Sequence, residues 1–206
     1  MPYYTQPIRY NTDIEDRSKP VWENRMRKFN TILVLLILIL LLDHVVFGGL
    51  YFFGVVPGVF KPVAFAMLAL VVLHAIISMI VTIRAEKAGF QTKARYNAEN
   101  RDFWLRRASG IAILILAILH AFMMSKDKNG VARLASMPKP LRLATPLLVF
   151  AVYLHLMSNV RPLLISMGVR KIDRKEIIIK VILSIVALFA IAANVYTIVS
   201  HIGGRH

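Results

Sequence analysis

The chain has 206 residues, 57% of them hydrophobic, no cysteine and a formal net charge of +15. Without cysteine there are no disulfides, thiolate metal sites or cysteine nucleophiles, so any metal must be held by nitrogen or oxygen. The basic residues lie in the connections between apolar runs, where a membrane-topology signal is expected, and this argues against nucleic acid as the partner.

Five apolar runs approach or exceed the roughly 18 residues that read as a membrane span: 31–54, 60–83, 108–124 (lengthened by 103–105), 144–167 and 177–200. The expected fold is an all-α integral membrane protein with five transmembrane helices, the first four forming an up-down bundle. Residues 1–30 are polar, with Pro2, Pro7 and Pro20, and read as a cytoplasmic arm; residues 31–206 read as one membrane domain. The first run is too long and too late for a removable signal peptide and is expected to stay in the protein. The connection 54–61, GVVPGVFK, is turn-like, so the first two helices should be antiparallel neighbours. Residues 85–107 read as a basic loop, and 125–142 as the largest exposed piece on the opposite side.

Lys and Arg number 19 in the N-terminal segment and the second and fourth connections, against 7 elsewhere. That asymmetry places the N-terminus in the cytoplasm and the C-terminus outside. Trp22 and Trp104 then fall at the inner interface, and Tyr51, Phe52 and Phe53 at the outer one. No hydrolase elbow, P-loop, dinucleotide fingerprint or carboxylate pair is present, so any chemistry lies within the membrane.

Each of the first four runs carries one histidine, His44, His74, His120 and His155, and His201 directly follows the fifth. Burying polar side chains in lipid is costly, and four in successive helices need a common reason. Counted from the outer boundary at about 1.5 Å per residue, His44 and His120 lie at about 15 and 8 Å, and His74 and His155 at about 20 Å. In an up-down bundle the first helix lies across from the third and the second across from the fourth. Each level therefore sets two imidazoles on opposite sides of the axis, which suits a flat cofactor ligated on both faces. Two b-type haems would satisfy all four: His74 and His155 on an inner iron, His44 and His120 on an outer one. His201 and His206 lack partners at matching depth and read as interfacial.

Ser109 shares the face of His120, about three turns deeper, where it and Gly110 leave room for the inner ring. Haem propionates need cationic or donor partners, and Arg84, Trp104, Arg107 and Arg161 lie at the inner interface. Arg161 is the favoured one, six residues after His155. Asp43 is the only acidic residue within these runs. A carboxylate there is costly unless paired or protonated, and exchanging protons with a quinone would give it a function.

The run LRRASGIAILILAILHAF resembles the third helix of the cytochrome b subunit of the succinate dehydrogenase and fumarate reductase family, in the class with one large anchor and two haems. There an R-x-SG step precedes the ligand histidine. LVVLHAIISMIVTIRAEKAG is similar to that family's second helix, VYLHLMSNVRPLLISMGV to its fourth and LLLDHVVFGG to its first. The resemblance implies the same haem pairing as depth does. It also implies a flavoprotein (FAD) subunit and an iron–sulfur subunit on the cytoplasmic face of a bacterial-type inner membrane. Electrons would pass from the clusters to the two haems and then to menaquinone or another quinone. Some members carry a glutamate two positions before the fourth ligand; Tyr153 stands here, which puts a proton path of that type in doubt. The rival readings are a haem b anchor of a hydrogenase or formate dehydrogenase, and a cofactor-free membrane protein.

Overall fold

In the computed structural model the described residues are 21–57, 61–91, 101–124, 141, 143–169 and 171–203, and they form five long helices with no strand among them. These are α1 (Val21–Phe52), α2 (Lys61–Gln91), α3 (Arg101–Met123), α4 (Ala144–Ser166) and α5 (Ile172–Gly203). Residues 1–20, 92–100, 125–140 and His206 lie outside the described residues, so the first part of the N-terminal arm and most of the outer connection are not placed.

Each helix contains a stretch long and apolar enough to cross a membrane, the shortest being the 21 residues Phe103–Met123. Their outward surfaces are apolar too: Ile39, Ile115, Ile185 and Leu188 are all more than 60% exposed. Such a surface is an aggregation liability in water and ordinary in lipid, where a helix satisfies its own backbone groups. The chain is a multi-pass membrane protein.

The helices overrun the apolar runs, because charged residues with good helix propensity extend a helix beyond the bilayer without interrupting it. α1 starts at Val21 rather than at 31, so residues 21–30 are helical and not part of an extended arm. α2 runs to Gln91 and α3 starts at Arg101, which shortens the expected basic loop from both sides. α5 starts at Ile172 and takes in Glu176.

α1 and α4 both end on a left-handed glycine. Gly54 has φ 74° and Gly168 φ 70°, and the bonds Val55 N–H to Leu50 O (2.9 Å) and Val169 N–H to Leu164 O (3.1 Å) close the last turns. This is the Schellman arrangement, which satisfies terminal carbonyls that have no intrahelical partner.

α3 packs along α4, α4 along α5, and α1 against both α2 and α5. Residue pairing gives the directions. Arg106 meets Ser158, Ser109 meets His155 and His120 meets Thr145, so α3 and α4 are antiparallel. Tyr153 with Ser184 and Arg161 with Glu176 make α4 and α5 antiparallel in turn. α1 and α5 run in the same direction, since Gly49 abuts Phe189 and Phe53 lies against Phe189 and Tyr196.

α5 is therefore wedged between α1 and α4 rather than appended to a closed set of four. A polar seam binds it to α4: Arg161 meets Glu176 at 3.5 Å, Glu176 being also paired along α5 with Lys180 at 2.6 Å, and the Tyr153 and Ser184 hydroxyls meet at 3.2 Å.

Candidate functional site

Four histidines from four helices come together as two pairs. His44 of α1 and His120 of α3 have ring centroids 6.1 Å apart with planes at 85°. His74 of α2 and His155 of α4 stand 6.5 Å apart at 82°. A single metal bonded at about 2.0–2.1 Å to a nitrogen of each ring, with each centroid about 1.2 Å behind its nitrogen, would hold the centroids about 6.5 Å apart when all lie in line. The His74–His155 separation of 6.5 Å has that spacing, and the His44–His120 separation of 6.1 Å is slightly shorter.

Among the described residues no group of three or more His, Asp or Glu side chains comes together. A metal held by either pair would take two nitrogens from the described residues and would need its other ligands from elsewhere. Haem b, whose porphyrin supplies four nitrogens, fits that donor set.

Three of the four Nδ1 atoms have a hydrogen-bonding neighbour. His74 donates from Nδ1 to Asn30 Oδ1 of α1 at 2.9 Å. His155 donates from Nδ1 to the Arg106 carbonyl oxygen of α3 at 3.1 Å, with Ser109 Oγ also at 3.1 Å. Ser109, which is buried, spends its own proton on the Leu105 carbonyl at 2.6 Å, so its lone pair faces the imidazole. In the other pair, His120 Nδ1 lies 3.3 Å from Thr145 Oγ1, while His44 Nδ1 is buried without a hydrogen-bond partner. A partner on Nδ1 fixes the tautomer and aims Nε2, the usual arrangement for a metal-bound imidazole.

Pro162 explains why Arg106 stands beside this site. A proline within a helix removes the N–H that would serve the carbonyl four residues earlier. In α4 that carbonyl belongs to Ser158, and Arg106 Nη1 donates to it at 3.2 Å. The guanidinium repairs α4 while the same residue's backbone oxygen orients His155.

The other residues expected near a haem are placed as follows. Gly110 faces His155, and a Cβ there would meet the ring at 3.5 Å, an ordinary contact, so the ring alone does not demand glycine. Arg107 lies over the Phe103 ring at 3.2 Å and donates to Thr82 Oγ1 at 2.9 Å, fastening α3 to α2. Trp104 is 57% exposed, with its ring edge against Phe103. Arg84 is exposed at the C-terminal end of the second apolar span.

Arg161 turns toward α5, where it meets Glu176 at 3.5 Å and Asp173 at 3.6 Å. Six residues from His155 is about 240° around the helix, off the histidine face. Asp43 is exposed on the outside of α1, one residue from His44 but about 100° away from it. The side chains of Trp22 and His201 lie outside the described set.

Sequence reading missed Asn30, Arg106 and Thr145. Asn30 fell in the segment read as an arm. The signal for Arg106 was Pro162, which announces a carbonyl in need of a donor. Comparisons with family models, with curated proteins and with solved structures find no match for the chain.

Proposed function

We propose that this chain is the membrane-anchor cytochrome b subunit of a succinate:quinone oxidoreductase, carrying electrons between an iron–sulfur subunit and membrane quinone. The observation that carries the reading is the pair of histidine pairs, each drawn from non-consecutive helices and each spaced for one iron. The family assignment rests on the resemblance of the R-x-SG step and the order of the histidine-bearing helices.

In this reading His74 and His155 hold the inner haem b and His44 and His120 the outer one. Bound haem supplies reversible one-electron chemistry at its iron. The chain's own work is to fix four imidazoles, surround them with apolar side chains and keep water away. Asp43, open to the lipid, exchanges protons with a quinone such as menaquinone. A flavoprotein with FAD and the iron–sulfur subunit dock on the cytoplasmic side, where the basic connections lie, in a bacterial-type inner membrane.

Purified from membranes, the protein should show reduced b-type absorption bands and two haems per chain. Replacing any one of the four histidines with alanine should lower that ratio to one, with His44→Ala and His120→Ala removing the same band. Absence of b-type bands would overturn the reading. Copurification with a flavoprotein that oxidises succinate, rather than with a hydrogenase or formate dehydrogenase, identifies the complex.

A further inference from the structure

The two histidine pairs differ in how firmly the chain commits them. A backbone carbonyl and an amide oxygen carry no hydrogen, so the nitrogen facing them must bring one. His155 faces the Arg106 carbonyl at 3.1 Å and His74 faces Asn30 Oδ1 at 2.9 Å. Both inner imidazoles are therefore Nδ1–H tautomers with a free lone pair on Nε2. Around the outer pair, among the described residues, the only Nδ1 neighbour is the Thr145 hydroxyl at 3.3 Å, which donates as readily as it accepts, and His44 Nδ1 has none.

Asn30 carries the most weight, because it is the only group hydrogen-bonded to His74 among the described residues. His155 by contrast has both Arg106 and Ser109. We propose that Asn30 is a positioning residue for the inner iron site: its amide oxygen fixes the His74 tautomer, aims Nε2 and, by drawing on the Nδ1 proton, makes the imidazole a stronger donor. This rests on the di-haem reading above and assigns one residue's part in it.

The sign follows from charge. A more basic imidazole stabilises ferric iron over ferrous iron and so lowers the reduction potential. Asn30→Leu removes the acceptor and should raise the potential of the inner haem alone. Losing such an outer partner costs about tenfold or more in metal affinity. Where that loss falls on the ferric form, the ferrous-to-ferric ratio at a fixed potential rises about tenfold, or about 59 mV for a one-electron couple.

Asn30→Asp keeps an acceptor and makes it anionic, so it should lower the same potential below that of the unmodified protein. The experiment is a redox titration of the purified protein, followed optically, with the low-spin ferric g-values read by electron paramagnetic resonance. The inner wave is the one that His74→Ala abolishes. Opposite shifts of that wave in the two variants, with the outer wave unmoved, support the proposal; the Asp variant tests it even where the Leu variant fails to assemble. Two normal waves with the inner one unmoved overturn the role of Asn30 and leave the di-haem reading standing. No b-type wave in the unmodified protein overturns both.

Discussion

At the scale of single residues the most exposed question is Asp43. A carboxylate held near the middle of a bilayer costs about 2.5–3.5 kcal/mol, and among the described residues none hydrogen-bonds or ion-pairs with it. The group looks outward, onto the phase in which a quinone dissolves, rather than inward to His44. Asn in its place keeps the size and removes the transferable proton. Asp43→Asn should therefore slow quinone turnover by about 10²-fold or more, the usual contribution of a positioned acid or base, while both haem spectra stay intact. Turnover is read with a soluble quinone analogue, and an unchanged rate removes Asp43 from the reaction. Stability should hold or rise, because a carboxylate facing the lipid is exchanged for a neutral amide.

At the scale of elements the fit of α1 to α5 turns on Gly49. A Cβ at that position would run into Phe189, whose Cζ lies only 2.6 Å from the ideal site. Overpacking of this kind costs about 1–3 kcal/mol, less where the ring can swing away. Gly49→Ala should lower the thermal unfolding temperature in detergent, and Phe189→Ala in the same chain should recover part of the loss. Additive effects would mean that the two positions do not share a contact.

The elements also show what the sequence made legible. Run length set five helices and their order, because a bilayer demands about 20 apolar residues per crossing and little else competes with that signal. Helix ends were not legible: Arg25, Lys28, Arg174 and Glu176 suit a helix as well as a loop. The spatial pairs His44 with His120 and His74 with His155 agree with what the helical rise and the up-down order of the helices together predicted. The partners of the far nitrogens depend on rotation about each axis, which apolar runs without a polar stripe leave open. Asn30 and Arg106 became visible only once α1 met α2 and α3 met α4.

At the scale of the whole molecule the charge asymmetry predicts an orientation with the N-terminus in the cytoplasm, and the absence of cysteine makes that easy to test. Every cysteine introduced is a unique label. In sealed, right-side-out vesicles an impermeant maleimide should leave Lys175→Cys unmodified and react with Lys61→Cys, the site that reads as outer. The reverse pattern would invert the orientation and with it the assignment of inner and outer haem.

α1 contributes to both pairs: His44 belongs to the outer one, and Asn30, fourteen residues earlier and about four turns away, supports the inner one. One continuous helix is thus a stiff rod touching both histidine pairs. Under the proposed function, a twist of a few degrees applied at the N-terminal end of that helix would disturb both pairs in concert, which would couple docking to electron flow mechanically.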